Sequence, residues 1–135
     1  MIDRLSVDKD DRELYDALDN EDMLKLTGGR RTRKDQFLLA MAFGFKSNLS
    51  EPLKAKDGFF NSRDLHPEDW ALLNAVAMYQ TGTVAVISNT DEVFEIAQEY
   101  AHAGIKLLIN TIKTTRSGAF EKQLEKELHQ LYNTL

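Results

Sequence analysis

The apolar run FLLAMAFGF at residues 37–45 limits the fold of this chain more than any other stretch. Only Gly44 departs from apolar type, and a helix that is apolar on nearly all sides belongs in the centre of a core. Thr32, with Asp35 three residues later, matches an N-terminal capping pattern. The sequence therefore predicts a buried central helix from about residue 33 to 45, loosened or ended by Gly44.

A second helix is predicted to begin at Pro67, because proline suits the first helical position and Glu68 and Asp69 suit the positive helix end. This helix should stop near Gly82, since glycine readily ends a helix. The run TVAVIS at residues 83–88 fits a buried strand or a helical turn equally well. We expect the helix to pack on the central one.

Two more helices are expected in the C-terminal part of the chain. Thr90 suits the cap of a helix that reaches about residue 113, with Gly104 as a place where it kinks. Ser117 suits the cap of the last helix, whose apolar stripe packs on its own domain or is presented to another chain. The members of the stripe are Phe120, Leu124, Leu128 and Leu131.

The N-terminal part begins with alternating polar and apolar side chains at residues 4–8, which favours a short half-buried strand. One or two short helical turns follow. Residues 46–65 are interpreted as a connecting loop, in which Phe59 and Phe60 stack on bases, dock on a protein or anchor the loop to the core. The predicted fold is a single, mainly α-helical domain over residues 1–135, with about five helices and at most a minor strand component.

Composition and motif spacing exclude several classes of protein. The 135 residues include no cysteine, so disulfides, a thiol nucleophile and cysteine-ligated zinc are excluded. No apolar stretch approaches the roughly 20 residues that span a bilayer, and the start MIDRLSVDKDD lacks a secretory signal, so we expect a cytoplasmic protein. The three histidines have no metal-binding spacing, and no G-x-S-x-G sequence occurs. We therefore expect no enzymatic activity, no cofactor and no metal site.

Charge is divided unevenly along a chain whose net charge is −5. Residues 23–63 hold nine bases and three acids, whereas the segments on both sides are acidic. Such asymmetry is typical of a nucleic-acid surface on an acidic protein, or of a basic segment that folds against acidic ends. The sequence alone leaves both interpretations open.

Four cations stand just before, or within, the first turn of the predicted central helix: Arg30, Arg31, Arg33 and Lys34. That end of a helix presents unpaired N–H groups and about half a positive charge. A bound phosphate would offset this crowding of positive charge, and arginine offers donors suited to phosphate. We therefore predict contacts to the DNA phosphate backbone, with Lys25 and Lys46 as neighbouring contributors. The alternative is a solvated turn, or pairing with the acidic N-terminal segment.

Two other binding modes fit the pattern. In a ribbon-helix-helix protein, strands paired between two chains would place Arg4, Ser6 and Asp8 in the DNA groove, although an aspartate is unfavourable there. In a protein–protein adaptor, the basic patch would dock on an acidic partner and the last helix would assist assembly. A homo-oligomer is compatible with either arrangement.

Two segments carry a resemblance to a known family: KDQFLLAMAFGFKSNLSEPL at residues 34–53 and ALLNAVAM at residues 71–78. They resemble the small accessory proteins associated with bacterial and archaeal DNA-phosphorothioation (Dnd) systems. The matching residues are Phe37, Ala42, Gly44, Phe45, Pro52, Leu53 and residues 72–77, in the middle third to half of the chain. The resemblance implies a role beside DNA-modification or restriction proteins, in anti-phage defence, and implies no catalytic residues.

Overall fold

The computed structural model describes residues 3–19, 32–114 and 117–134. These ranges contain five α-helices and a two-stranded antiparallel sheet, so the fold is mainly α, as predicted. In chain order the elements are β1 (Arg4–Asp8), α1 (Arg12–Asp19), α2 (Arg33–Lys46), β2 (Lys56–Asn61), α3 (Pro67–Thr81), α4 (Thr90–Thr114) and α5 (Ser117–Thr134). Short 3-10 helices span Lys9–Asp11, Ser62–Asp64 and Val84–Ser88.

Helix α2 is the buried central helix that the apolar run predicts. Its N-terminus is capped as expected, because the Thr32 hydroxyl accepts a hydrogen bond from the Asp35 N–H at 3.1 Å. Phe37 and most of the other apolar side chains of the helix are buried. The helix spans Arg33–Lys46, within one residue of the predicted bounds, and it continues through Gly44, so this glycine does not end it.

Gly44 and Gly104 instead allow α2 and α4 to cross closely. A Cβ on Gly44 would overlap the carbonyl oxygen of Tyr100, and a Cβ on Gly104 would overlap that of Ala40. Only glycine therefore permits the two backbones to approach this far. Helical structure in α4 continues through Gly104.

The sheet pairs β1 with residues 56–61, which form β2 where the sequence predicted a loop. The register shifts between Leu5 and Ser6, and Phe59 is the extra residue on β2. Because a bulge can turn two successive side chains to the same side, Phe59 and Phe60 are both buried. The strand forms because β1 supplies its hydrogen-bonding partner.

The same pairing rules out the ribbon-helix-helix arrangement, in which β1 would pair with its copy in a second chain. The partner of β1 is β2 of the same chain. The Ser6 N–H donates to Oε1 of Gln98 on α4 at 2.8 Å, and Asp8 is only 1% exposed. Arg4 is exposed and Ser6 half-buried, but the strand is paired within its own chain and Asp8 cannot reach a DNA groove.

The helix ends follow most of the predicted signals. Pro67 occupies the first position of α3, and Gly82 ends that helix in the left-handed region, at φ 75°. Helix α4 begins at Thr90, but its cap is the preceding residue. The Asn89 side chain accepts a hydrogen bond from the Glu92 N–H at 3.2 Å.

Helix α5 packs against α2 and α4 of the same chain. Leu124 and Leu131 of its apolar stripe are buried, and Leu128 packs against the core. The stripe thus faces its own molecule, which is the first of the two interpretations. Its fourth member, Phe120, is outside the side chains that the structure describes.

Candidate nucleic-acid interface

The first turn of α2 holds the described part of the predicted basic cluster. The Arg33 guanidinium forms ion pairs with Asp16 at 2.6 Å and Asp19 at 3.4 Å, both on α1. It also donates to Oε1 of Gln36 at 3.0 Å and lies 5.1 Å from the centre of the Phe59 ring. Arg33 therefore ties α1 and β2 to the start of α2.

Lys34 makes a more enclosed ion pair. Its Nζ lies 2.9 Å from Oδ2 of Asp69, and the two side chains are 15% and 11% exposed. The same carboxylate oxygen accepts a hydrogen bond from the backbone N–H of His66, just before α3, at 2.9 Å. Lys34 thus joins the start of α2 to the start of α3, and its charge is largely satisfied within the chain.

The other predicted site residues do not gather at this place. Lys46 lies at the opposite end of α2, about 20 Å from Arg33 at roughly 1.5 Å per residue. There its Nζ pairs with Glu127 of α5 at 2.7 Å. Three residues lie outside the described ranges: Lys25, Arg30 and Arg31. The described cations of the cluster are thus paired with acids on α1, α3 and α5, as expected for a basic segment that folds against acidic ends.

A hollow of about 430 Å³ opens beside the start of α2 and brings in Arg63, a cation that sequence reasoning missed. Arg63 comes from the 3-10 helix after β2 and lines the hollow with Arg33 and Lys34, as do the acids Asp35 and Asp64. It is exposed and has no ion pair with another residue of the described ranges. Arg63 reaches the start of α2 because β2 runs towards it. The sequence indicates a binding role for Arg63 only through its place in the basic central segment.

The aromatic pair Phe59 and Phe60 anchors β2 to the core. The Phe59 ring packs on Tyr15 with centroids 4.6 Å apart, and Phe60 meets Phe37 edge-on at 5.4 Å. Both phenylalanines are 6% exposed. Neither ring is therefore accessible for stacking on a base.

A second group of charged side chains is buried between β1, the turn after it and α4. Nδ1 of His102 lies 2.5 Å from Oδ2 of Asp11, and Nε2 lies 3.9 Å from Oδ2 of Asp8. The N–H groups of Asp10 and Lys54 donate to Asp8 at 3.0 and 2.6 Å and hold the pKa of its carboxyl below the usual value. Burial raises the pKa of Asp11, although His102 opposes that shift. The group joins β1 to α4.

The contact between His102 and Asp11 was not predicted, because 91 residues separate them and no spacing pattern relates them. Across the described ranges, no set of three or more histidine, aspartate or glutamate side chains is arranged to hold a metal ion. No helix in this part of the chain is long and apolar enough to cross a membrane.

An apolar groove of about 660 Å³ lies at the other end of α2, beside the ends of α3 and α5. Phe45, Tyr79 and Leu131 supply its apolar lining, and the Lys46–Glu127 ion pair belongs to its wall. Tyr79 is 70% exposed. The groove is therefore partly an open aromatic surface.

Comparison with known proteins places this structure in a family. No curated protein and no solved structure matches the chain. The family described as DNA sulphur modification system-associated protein 4 matches residues 4–132, nearly the whole chain. The match agrees with the resemblance of residues 34–53 and 71–78 and extends it to β1, α1, α4 and α5. The chain therefore belongs to the family of DNA sulphur modification system-associated protein 4, an accessory protein of a DNA sulphur modification system.

Proposed function

We propose that this accessory protein is non-catalytic and binds the phosphate backbone of DNA at the start of α2. The observation that carries the proposal is the position of Arg63, which joins Arg33 beside a helix N-terminus. Such a terminus favours anions through its free N–H groups and its dipole. Arg30 and Arg31 directly precede it in the sequence. We name these four arginines the arginine face.

The ion pairs of Arg33 do not prevent contact with phosphate. Its partners Asp16 and Asp19 are 57% and 44% exposed, and exposed ion pairs contribute only about 0–1 kcal/mol. A phosphate suits the fork of donors on a guanidinium and can replace them. DNA binding would then compete with the contact between α1 and α2.

The two described lysines of the cluster take different roles in this proposal. Lys34 is enclosed in its pair with Asp69, so we assign it to positioning α2. Lys46 pairs with Glu127 at the far end of α2 and cannot reach the same phosphate as Arg33. The proposed contacts therefore rest on the arginine face, with Lys25 retained as a neighbouring contributor.

Fluorescence anisotropy with a short labelled duplex of random sequence tests the proposal. We expect affinity to fall with salt, with a logarithmic slope of roughly −0.9 for each phosphate neutralised. Arg30/Arg31/Arg63→Ala should weaken binding at least about tenfold and make the slope shallower by about 2–3. The variant leaves Arg33 and its ion pairs intact, so the fold should be preserved.

Lys106/Lys113/Lys126→Ala is the matched control, because it removes three exposed cations from α4 and α5. The control should bind DNA nearly as well as the wild type. Equal weakening by the two variants would reveal a general charge effect and no localised face. A folded wild-type protein that fails to bind at low salt would overturn the proposal.

A second candidate function, a protein–protein adaptor, is favoured by the groove beside the ends of α2, α3 and α5. Its apolar lining, with Tyr79 70% exposed, suits an apolar side chain of another protein of the modification system. The arginine face would then meet acidic residues of that partner. Co-purification of one partner protein, lost on Tyr79→Ala, together with no DNA binding would favour this function over the first.

A further inference from the structure

Residues 70–90 contain no aspartate, glutamate, lysine, arginine or histidine, although charged residues form 29% of the chain. Burial explains the absence of charge from residues 70–78, since side chains of α3 such as Leu72 and Val76 pack into the core. It does not explain residues 79–89, all of which are exposed except Val86. We name residues 79–89 the neutral apex.

Large apolar side chains project from the neutral apex. Tyr79 is 70% exposed, Val84 71% and Ile87 38%. In a 3-10 helix, side chains three residues apart lie on the same side, so Val84 and Ile87 share one face of Val84–Ser88. Exposed apolar side chains without accompanying charge are typical of the centre of a protein interface.

The neutral apex is held in place by hydrogen bonds and one buried anchor. Gly82 turns the chain at the end of α3, and the Thr83 hydroxyl then accepts a hydrogen bond from the Ala85 N–H at 3.2 Å. Val86 is 4% exposed, and its carbonyl accepts a hydrogen bond from the Asn89 N–H at 2.9 Å. A surface fixed in this way loses little conformational freedom on binding.

We propose that the neutral apex binds a second copy of this chain. Two copies repel each other because each carries a net charge of −5. The repulsion is weakest where the contact surface carries no acidic residue. A two-fold axis places the same patch on both copies, so the neutral apex would meet an equally uncharged surface. A charged partner would lose hydration there without gaining a counter-ion. The neutral apex of a second copy brings no acid that would add to the repulsion and no charge that would lose its hydration.

The association should be weak and reversible. Stable interfaces bury about 800 Å² on each partner, more than a short 3-10 helix and one helix end provide. The inference does not rest on the proposed function. Val84 and Ile87 lie outside the residues that line the hollow beside α2 and the groove at its other end, whereas Tyr79 belongs to both the neutral apex and that groove.

Sedimentation velocity, from micromolar to millimolar protein and at low and high salt, tests the inference. The wild type should shift from monomer towards dimer as concentration rises. Salt should favour the dimer, because it screens the repulsion between acidic copies. Val84→Glu should raise the dimer Kd at least about tenfold, since it places a carboxylate in the apex of each copy.

Leu49→Glu is the matched control, because Leu49 is an aliphatic residue outside the neutral apex that is 48% exposed. It should dimerise as the wild type does, and both variants should melt at nearly the wild-type temperature. The inference would be overturned by a wild type that stays monomeric, by an unaffected Val84→Glu, or by equal weakening in the two variants.

Discussion

Asp8 links the stability of the fold to pH. Hydrogen bonds from the N–H groups of Asp10 and Lys54 hold its pKa below the usual value of 3.8. Because the folded pKa is below the unfolded one, ionised Asp8 stabilises the fold above about pH 4. That stabilisation is lost as the pH falls through the folded pKa.

Asp8→Asn should therefore lower the free energy of unfolding at neutral pH by about 1.5–3 kcal/mol, the contribution of hydrogen bonds to a charged group. The difference from the wild type should shrink as the pH falls below 3.8, because wild-type Asp8 then becomes protonated. Urea unfolding at a series of pH values measures it. Asp10→Asn, at an exposed neighbour, is the control, and a pH-independent difference for Asp8→Asn would contradict the assignment.

Two buried tyrosines should respond in opposite ways to loss of the hydroxyl. The Tyr15 hydroxyl has no hydrogen-bond partner in the described ranges, and burial raises its pKa well above 10.0. The Tyr100 hydroxyl donates to Oε1 of Gln80. Tyr15→Phe should leave the free energy of unfolding unchanged or raise it by about 1 kcal/mol, whereas Tyr100→Phe should lower it by about 1 kcal/mol. Urea unfolding at neutral pH compares them, and a larger loss for Tyr15→Phe would contradict the expectation.

At the scale of elements, the crossing of α2 and α4 should be the position least tolerant of a methyl group. Gly104→Ala should cost about 3 kcal/mol or more, since the Cβ would overlap the Ala40 carbonyl and force the helices apart. Gly82→Ala is the comparison, because its Cβ would meet no atom within 4 Å. Gly82→Ala should lower the free energy of unfolding by only about 1–2 kcal/mol, because alanine is strained in the left-handed region. Thermal melts rank the variants, and a milder effect at Gly104 would refute the close crossing.

Local signals were enough to predict α2 and α3, but the same kind of signal failed for Gly44. Each of these signals acts within one turn of its helix, so its effect can be predicted from the sequence: the Thr32 cap, Pro67 and Gly82. Whether a glycine inside an apolar run ends a helix or admits another backbone depends on what packs against it. For Gly44 that neighbour is Tyr100 on α4.

Strand β2 and the position of Arg63 were not predictable for the same physical reason. Lys56, Asp57 and Gly58 disfavour a strand, and β2 exists because β1, distant in the sequence, pairs with it. Arg63 lies two residues after the end of β2 and is carried with it to the start of α2. Charge patterning predicted a basic centre and acidic ends, but could not distinguish internal pairing from an exposed face.

At the scale of the whole molecule, the basic central segment draws acidic elements together. Arg33 pairs with α1, Lys34 with α3 and Lys46 with α5, while Lys56 pairs with Glu95 of α4 at 2.6 Å. Most of these pairs are exposed and contribute little individually. Together, however, they pair much of the positive charge of the basic central segment with acids of the same chain. The described surface that remains therefore separates into Arg33 and Arg63 beside the start of α2, exposed acids on the helices and the neutral apex.

This separation predicts that salt moves the two proposed associations in opposite directions. DNA binding at the arginine face should weaken with added salt, because counterions released from DNA on binding are then released less favourably. Association through the neutral apex should strengthen, because salt screens repulsion between copies of net charge −5. Anisotropy and sedimentation on one protein preparation, over one salt series, measure both. If salt weakened both associations, the contact between copies would also depend on charge attraction. The arginine face of one copy would then be expected to contact an acidic helix of the other.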